Sequence, residues 1–358
     1  MSDRCLPVET FLNRVRDIPL FDVRSPSEFL QGHIPGAHNL PLFADEERHT
    51  VGRTYHEQGR DAAILTGLEL VGPRMRSMVE TVRAVATDGR VALTCWRGGM
   101  RSESVAWLLG FSGMDVVRLD GGYKAFRRWV LDSFAVERPI IVLSGATGSG
   151  KTAILDHLRR AGEQVIDLEG LAHHKGSAFG SLGEPPPPSQ EQFENRLAAA
   201  WRAMDPARPV WLEDESRRIG RRNLPQAFWE QMRAAPVMLL EMPVHLRVER
   251  LLADYGSFSA ASLGDAIQRL HKRLGGVQTR EALSLLDRGD LAGCCELLLR
   301  AYYDKAYRHG LRQRDPATVD TVETDSLDPA ENARRVLSRT GMEKRPDSRS
   351  RSSGTVGP

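Results

Sequence analysis

The sequence predicts an α/β protein made of two consecutive domains, followed by a disordered C-terminal tail. Three observations predict it. Its 358 residues are too many for one compact α/β core. Short apolar runs alternate with helical patterns through both halves, as expected for mostly parallel sheets covered by helices. Residues 145–152 have the spacing of a phosphate-binding loop between a strand and a helix.

In the first half, residues 20–23, 91–94 and 114–119 read as buried strands, with an amphipathic helix over 102–109 and a helix-like stretch over 123–131. Glu137, Arg138 and Pro139 punctuate the chain before the next strand, 140–143. The second half continues with strands over 165–168, 210–212 and 237–241 and helices over 151–161 and 243–253. Four consecutive prolines, residues 185–188, predict an extended loop. The boundaries that follow are 1–137, 138–342 and 343–358, the last a polar segment with one apolar residue that is expected to be disordered.

Composition narrows the function. With 41% hydrophobic and 27% charged residues the chain is ordinary globular protein. No apolar run nears the ~18 residues of a membrane span, and the N-terminus lacks a signal-peptide pattern, so a soluble, cytoplasmic protein with no membrane partner is expected. Four cysteines, at positions 5, 95, 294 and 295, make neither a disulfide framework nor a zinc site. The net charge of +2 names no partner, although only six of the 49 basic residues are lysines. Arginine suits phosphate recognition, but a compositional bias gives the same count.

The first chemical site is the run Cys95-Trp-Arg-Gly-Gly-Met-Arg101-Ser102, after a strand and before a helix. In such a turn successive backbone N–H groups and a helix N-terminus converge. With Arg97 or Arg101 nearby they would favour a thiolate on Cys95 and hold an oxyanion beside it.

The second site is Gly145-Ala-Thr-Gly148-Ser149-Gly150-Lys151-Thr152. Its glycines let backbone amides face phosphates, Lys151 neutralises them, and Thr152 would offer a hydroxyl to Mg²⁺. The loop predicts a di- or triphosphate and leaves its organic part open. Glu213 or Asp214, at the end of a strand, is the candidate acid and could hold Mg²⁺ through water; an acidic helix start is the other reading. No metal ligand set is assigned. Arg217, Arg218, Arg221 and Arg222 form a candidate diphosphate or RNA clamp, or else a solvated basic turn. The segment His173-His-Lys-Gly-Ser-Ala-Phe-Gly180 reads as a flexible loop near the site, and Cys294-Cys295 as core.

Residues Asp22-Val-Arg24, Glu28-Phe29 and Gly32-His-Ile-Pro-Gly-Ala-His-Asn-Leu-Pro41, with Gly121-Gly-Tyr-Lys-Ala-Phe-Arg-Arg-Trp129, resemble the opening and closing motifs of rhodanese domains. That resemblance maps the family's persulfide- or perselenide-carrying cysteine onto Cys95. The five residues between Cys95 and Arg101 depart from the usual spacing and resemble the phosphate cradle of cysteine-dependent phosphatases. A rhodanese-like domain ahead of a P-loop NTPase-like α/β domain is similar to the bacterial tRNA 2-selenouridine synthases. The resemblance spans roughly residues 8–340 and rests also on CWRGGMRS, GATGSGKT, HHKGSAFG and EDESRRIG in that order.

The resemblance implies a tRNA substrate, modified at the wobble uridine in the anticodon of Lys, Glu and Gln tRNAs. It implies geranylation of 2-thiouridine by geranyl diphosphate, then replacement of the geranylthio group by selenium from selenophosphate through Cys95. Both are co-substrates; no tightly bound cofactor is expected, Mg²⁺ is allowed, and a selenophosphate-producing enzyme is a further partner. Three alternatives stand beside it. A P-loop nucleotide or small-molecule kinase fused to a sulfurtransferase domain would turn over ATP without tRNA, a phosphatase would cleave phosphate esters, and an adaptor would tolerate loss of both Cys95 and Lys151. No base-reading aromatic motif is visible, so the RNA partner comes from the resemblance alone.

Overall fold

The computed structural model describes residues 4–341, so the predicted tail at 343–358 lies outside the described residues. The chain divides into two compact units. One runs to Val136 and includes Pro188–Ala203; the other comprises Glu137–Pro187 and the chain from Met204 onward.

The first unit holds a five-stranded parallel sheet. Its strands are β1 (Arg4–Leu6), β2 (Leu20–Asp22), β3 (His38–Asn39), β4 (Arg90–Thr94) and β5 (Asp115–Leu119), in the order β1-β5-β4-β2-β3. β4 is central and its residues 91–94 are buried, and Phe21, Val23, Val82, Val91, Leu93 and Leu109 are at most 1% exposed in one core. The helix Met100–Phe111 follows β4 and Gly122–Ser133 follows β5. The edge strands, β1 and β3, are three and two residues long and carry no apolar alternation that sequence could reveal.

The helix Gln190–Ala203 corrects the predicted boundaries. It was expected in the second domain but packs with the first unit, against the helix Gly122–Ser133. Its apolar stripe, Phe193, Leu197 and Trp201 at four-residue spacing, is buried to 1% or less. The extended proline run lets the chain leave the second unit and supply this helix before returning.

In the second unit the strands are β6 (Ile140–Gly145), β7 (Gln164–Val165), β8 (Val210–Glu213), β9 (Arg218–Ile219), β10 (Arg222–Asn223), β11 (Val237–Glu241) and β12 (Val319–Glu323). β9 and β10 form an antiparallel hairpin; the others form a parallel sheet in the order β12-β11-β6-β8-β7. Crossovers leave β6 on both sides, so its carboxyl end faces the crevice where α/β proteins bind ligands. The predicted strand at 165–168 stops at Val165, because Asp167 caps a short helix, Leu168–Ala172, by accepting from Gly170 N. A helical array over residues 260–298 surrounds a separate core that includes Leu263, Ile267, Ala282, Cys294 and Leu298. Among the described residues no helix is long and apolar enough to cross a membrane.

Candidate active site

Cys95 follows β4 directly and is 2% exposed. Its Sγ lies 3.2 Å from the Ser102 hydroxyl and 3.8 Å from the Gly99 carbonyl. None of the backbone N–H groups of residues 96–101 hydrogen-bonds to an acceptor among the described residues. The helix Met100–Phe111 begins there, so the loop presents unpaired donors and a positive helix end around one buried thiol.

Backbone contact from the next strand's end fixes this loop. Tyr123 N donates to the Cys95 carbonyl at 2.8 Å and Lys124 N to that of Trp96 at 3.0 Å. At Gly122, φ is +60° and a Cβ would lie 2.4 Å from both the Cys95 carbonyl oxygen and Gly98 N, so only glycine fits. Arg118, 7% exposed on β5, donates to the Gly98 carbonyl at 2.9 Å. Sequence reasoning missed Arg118, although an arginine inside the apolar run DVVRL is itself a signal of a buried task.

The two predicted arginines separate. Arg97 is exposed on the loop. Arg101 instead reaches Glu28, at 2.7 Å. Burial resists ionisation of Glu28, but the hydrogen bond and charge of Arg101 outweigh it and hold the carboxyl below its usual range. Trp96 and Met100 stand exposed on this loop.

The rhodanese-type motifs build the support beneath it. Arg24, 1% exposed, pairs with fully buried Asp22 at 2.6 Å and donates to the Gly32 carbonyl. Its guanidinium lies 3.7 Å from the centre of the Tyr123 ring. The Tyr123 hydroxyl donates to Glu191 at 2.6 Å and accepts from Asn195 at 2.8 Å, both on the helix Gln190–Ala203.

In the second unit the phosphate loop leaves β6 and enters the helix Lys151–Arg160. Lys151 Nζ donates to the Gly145 carbonyl at 2.8 Å. Gly148 and Gly150 have φ of +86° and +79°. Ser149 is 2% exposed and its hydroxyl has no partner among the described residues. Two arginines unremarked in the sequence border the loop. Arg247 donates to the Thr147 carbonyl while paired to Asp304 at 2.7 Å, and the Arg250 guanidinium packs against Gly150.

The acids are redistributed relative to expectation. Asp214 accepts from Arg314 and from Ser144, each at 2.5 Å, and so braces the strand ends. Glu213 is fully buried and accepts from Leu168 N at 3.0 Å; burial and the nearby Asp167 push its carboxyl pKa well up. The carboxylate at the phosphate loop is Glu169, which accepts from the Thr152 hydroxyl at 3.1 Å. Burial pushes it up, and burial together with the charge of Glu169 pushes Glu215 up to about 8. Among the described residues no group of three or more His, Cys, Asp or Glu is placed to hold a metal ion.

The downstream motifs join the same site. A Cβ on Gly176 would meet the carboxylates of Glu215 and Glu169 within 2.8 Å, which brings the 173–180 segment onto the acid pair. His174 packs its ring against Gly180 and Gly220, and burial lowers its pKa. Arg217, Arg218 and Arg221 are exposed and Arg222 half-buried on the β9–β10 hairpin. Arg218 Nε donates to the Gly220 carbonyl at 3.0 Å, and no salt bridge is found for any of the four among the described residues. An open groove of ≈ 800 Å³, lined by Ala146, Glu241, Arg247, Asp304, Tyr307 and Arg308 among others, runs beside the loop.

A family profile described as "tRNA 2-selenouridine synthase AAA domain" matches residues 138–332, and a "Rhodanese-like domain" profile matches residues 8–128. The chain is 40% identical over 331 residues to a tRNA 2-selenouridine synthase of Shewanella loihica, covering 83% of this chain and 88% of that one. It is 40% identical over 339 residues to one from Marinobacter nauticus, covering 85% and 90%. A third, from Cupriavidus necator, is 39% identical over 348 residues, covering 84% and 90%.

Proposed function

The chain belongs to the tRNA 2-selenouridine synthase family and is a tRNA-modifying transferase; from that premise we propose that it works on the wobble uridine of Lys, Glu and Gln tRNAs in two steps. The first alkylates 2-thiouridine with geranyl diphosphate. The second exchanges the geranylthio group for selenium. The observation that carries this reading is the presence of two distinct loops at helix N-termini, one around a buried thiol and one around a lysine.

In the first step the thiocarbonyl sulfur attacks the geranyl carbon, the carbon–oxygen bond breaks, and its electron pair leaves on diphosphate. Lys151, the loop amides and Arg250 stabilise that growing charge, while the base loses its N3 proton. The arginines of the β9–β10 hairpin meet RNA phosphates, and the groove beside the loop admits an unstacked nucleoside.

In the second step the loop of Cys95 binds selenophosphate, whose oxygens match the unpaired N–H groups. Selenium forms a bond to C2 as the C2–S bond breaks and geranylthiol leaves with a proton, and water cleaves the P–Se bond so that the phosphoryl group leaves as phosphate. Selenium in selenophosphate is already at the selenide level. A perselenide on Cys95 therefore requires a two-electron oxidant to form its S–Se bond and a thiol to break it. The first step uses no selenophosphate, and neither step as proposed uses a tightly bound cofactor.

Incubating the protein with a 2-thiouridine anticodon stem-loop, geranyl diphosphate, selenophosphate and a reducing thiol, then weighing the nucleosides, tests the reading. The expected product is 2-selenouridine, with S-geranyl-2-thiouridine accumulating in Cys95→Ala. Unchanged 2-thiouridine, together with ATP turnover in the absence of RNA, would replace the reading with a kinase.

A further inference from the structure

An apolar seam runs from the phosphate loop into the helices of the second unit. Thr147 and Ser177 line it where it meets the two glycine-bearing loops. The remaining wall is aliphatic or aromatic apart from the buried thiols of Cys294 and Cys295 and the hydroxyls of Tyr255 and Tyr303, the latter buried without a hydrogen-bond partner among the described residues. The helix Val244–Tyr255 joins the seam to the loop. Arg247, Leu251 and Tyr255 fall at four-residue spacing on it; Arg247 bonds the Thr147 carbonyl, and the Leu251 side chain lies 3.2 Å from where a Cβ on Gly148 would sit. Leu263 and Ile267 close the seam from the helix Ala260–Arg269.

A single π-helical turn, Leu299–Tyr303, interrupts the helices at this wall, and both its end residues line the seam. Such turns insert an extra residue into a helix and recur at functional sites. The seam's free volume is ≈ 40 Å³, so it is narrow here and a hydrocarbon would enter by parting its walls.

We propose that this seam receives the hydrocarbon chain of a prenyl diphosphate whose diphosphate sits on residues 145–152, and that Leu263 and Ile267 set the accepted chain length. The assignment rests on the geranyl diphosphate reading above and gives that donor a location. A ribose and base would bring polar groups to a wall with few partners for them. A branched hydrocarbon brings none, and each buried methylene adds to affinity. The two thiols read from sequence as core then form part of a ligand wall.

The test is equilibrium binding to the full chain of inorganic diphosphate and of dimethylallyl, geranyl and farnesyl diphosphates. Wild type is expected to bind geranyl diphosphate at least about ten-fold more tightly than inorganic diphosphate. Ile267→Phe, which narrows the seam, should weaken geranyl diphosphate about ten-fold and leave inorganic diphosphate unchanged. Leu263→Ala, which widens it, should shift preference toward farnesyl diphosphate. If Ile267→Phe loses inorganic diphosphate as well, its fold has suffered and Leu263→Ala decides. A geranyl preference that Leu263→Ala leaves unshifted, or that Ile267→Phe leaves intact, overturns the assignment. A wild type that binds inorganic and geranyl diphosphates alike defeats the geranyl reading itself.

Discussion

The Sγ of Cys95 lies 3.2 Å from the hydroxyl of Ser102, which lies 3.0 Å from the Gly99 carbonyl and donates to it. When the thiol loses its proton, the Ser102 hydroxyl can turn from that carbonyl to the sulfur anion. Ser102→Ala removes one such bond, and selenium transfer should slow by about ten-fold while geranyl transfer is unchanged. Rates of 2-selenouridine and S-geranyl-2-thiouridine formation, measured separately, check this. Equal slowing of both would assign Ser102 to the fold.

Asn195 is fully buried and donates to the Tyr123 hydroxyl and the His33 carbonyl, tying the helix Gln190–Ala203 to the first unit. Asn195→Ala leaves the buried Tyr123 hydroxyl and the part-buried His33 carbonyl short of a donor and should cost about 1–3 kcal/mol. Urea unfolding followed by far-UV circular dichroism reads it. A variant as stable as wild type would show that the packing of Phe193, Leu197 and Trp201 alone holds the helix.

Glu215 has its folded pKa raised from 4.5 to about 8, by burial and by Glu169, with Asp214 adding to the rise and Lys151 opposing it. The folded protein therefore binds more protons than the unfolded chain in that window. The stability from the protonated form is complete below the unfolded value and is lost as pH rises toward about 8. Glu215→Gln cannot ionise, so its urea midpoint should gain on wild type between pH 5 and about 8. A constant difference across that range would contradict the acid pairing.

Arg217 and Arg221 are exposed at the β9–β10 hairpin and form no ion pair among the described residues. Replacing either by alanine should weaken stem-loop binding irrespective of sequence and lower the slope of log K against log salt by about one. Filter binding over a range of salt measures it, and an unchanged slope would place the RNA elsewhere.

Much of the fold was legible because buried parallel strands read as continuous apolar runs: residues 91–94 became β4 and 237–241 became β11. The edge strands β1 and β3 are three and two residues long and carry no such run. Motif spacing found Cys95 and Lys151, since chemistry local to one loop is written in consecutive residues. It did not find Glu169, which reaches Thr152 from 17 positions away, or Arg118, which holds the cysteine loop from a neighbouring strand. Nor did it find the return of residues 190–203 to the first unit, because an amphipathic helix does not encode which surface covers it.

The two-site account is tested most directly by supplying its intermediate. Lys151→Ala, given a 2-thiouridine stem-loop with both co-substrates, should yield little product, because the diphosphate is no longer stabilised. The same variant given a stem-loop already bearing S-geranyl-2-thiouridine should form 2-selenouridine at the wild-type rate, whereas Cys95→Ala should fail on both substrates. If Lys151→Ala also fails on the geranylated RNA while remaining folded, the phosphate loop serves the selenium step too and the division of labour between the two loops is wrong.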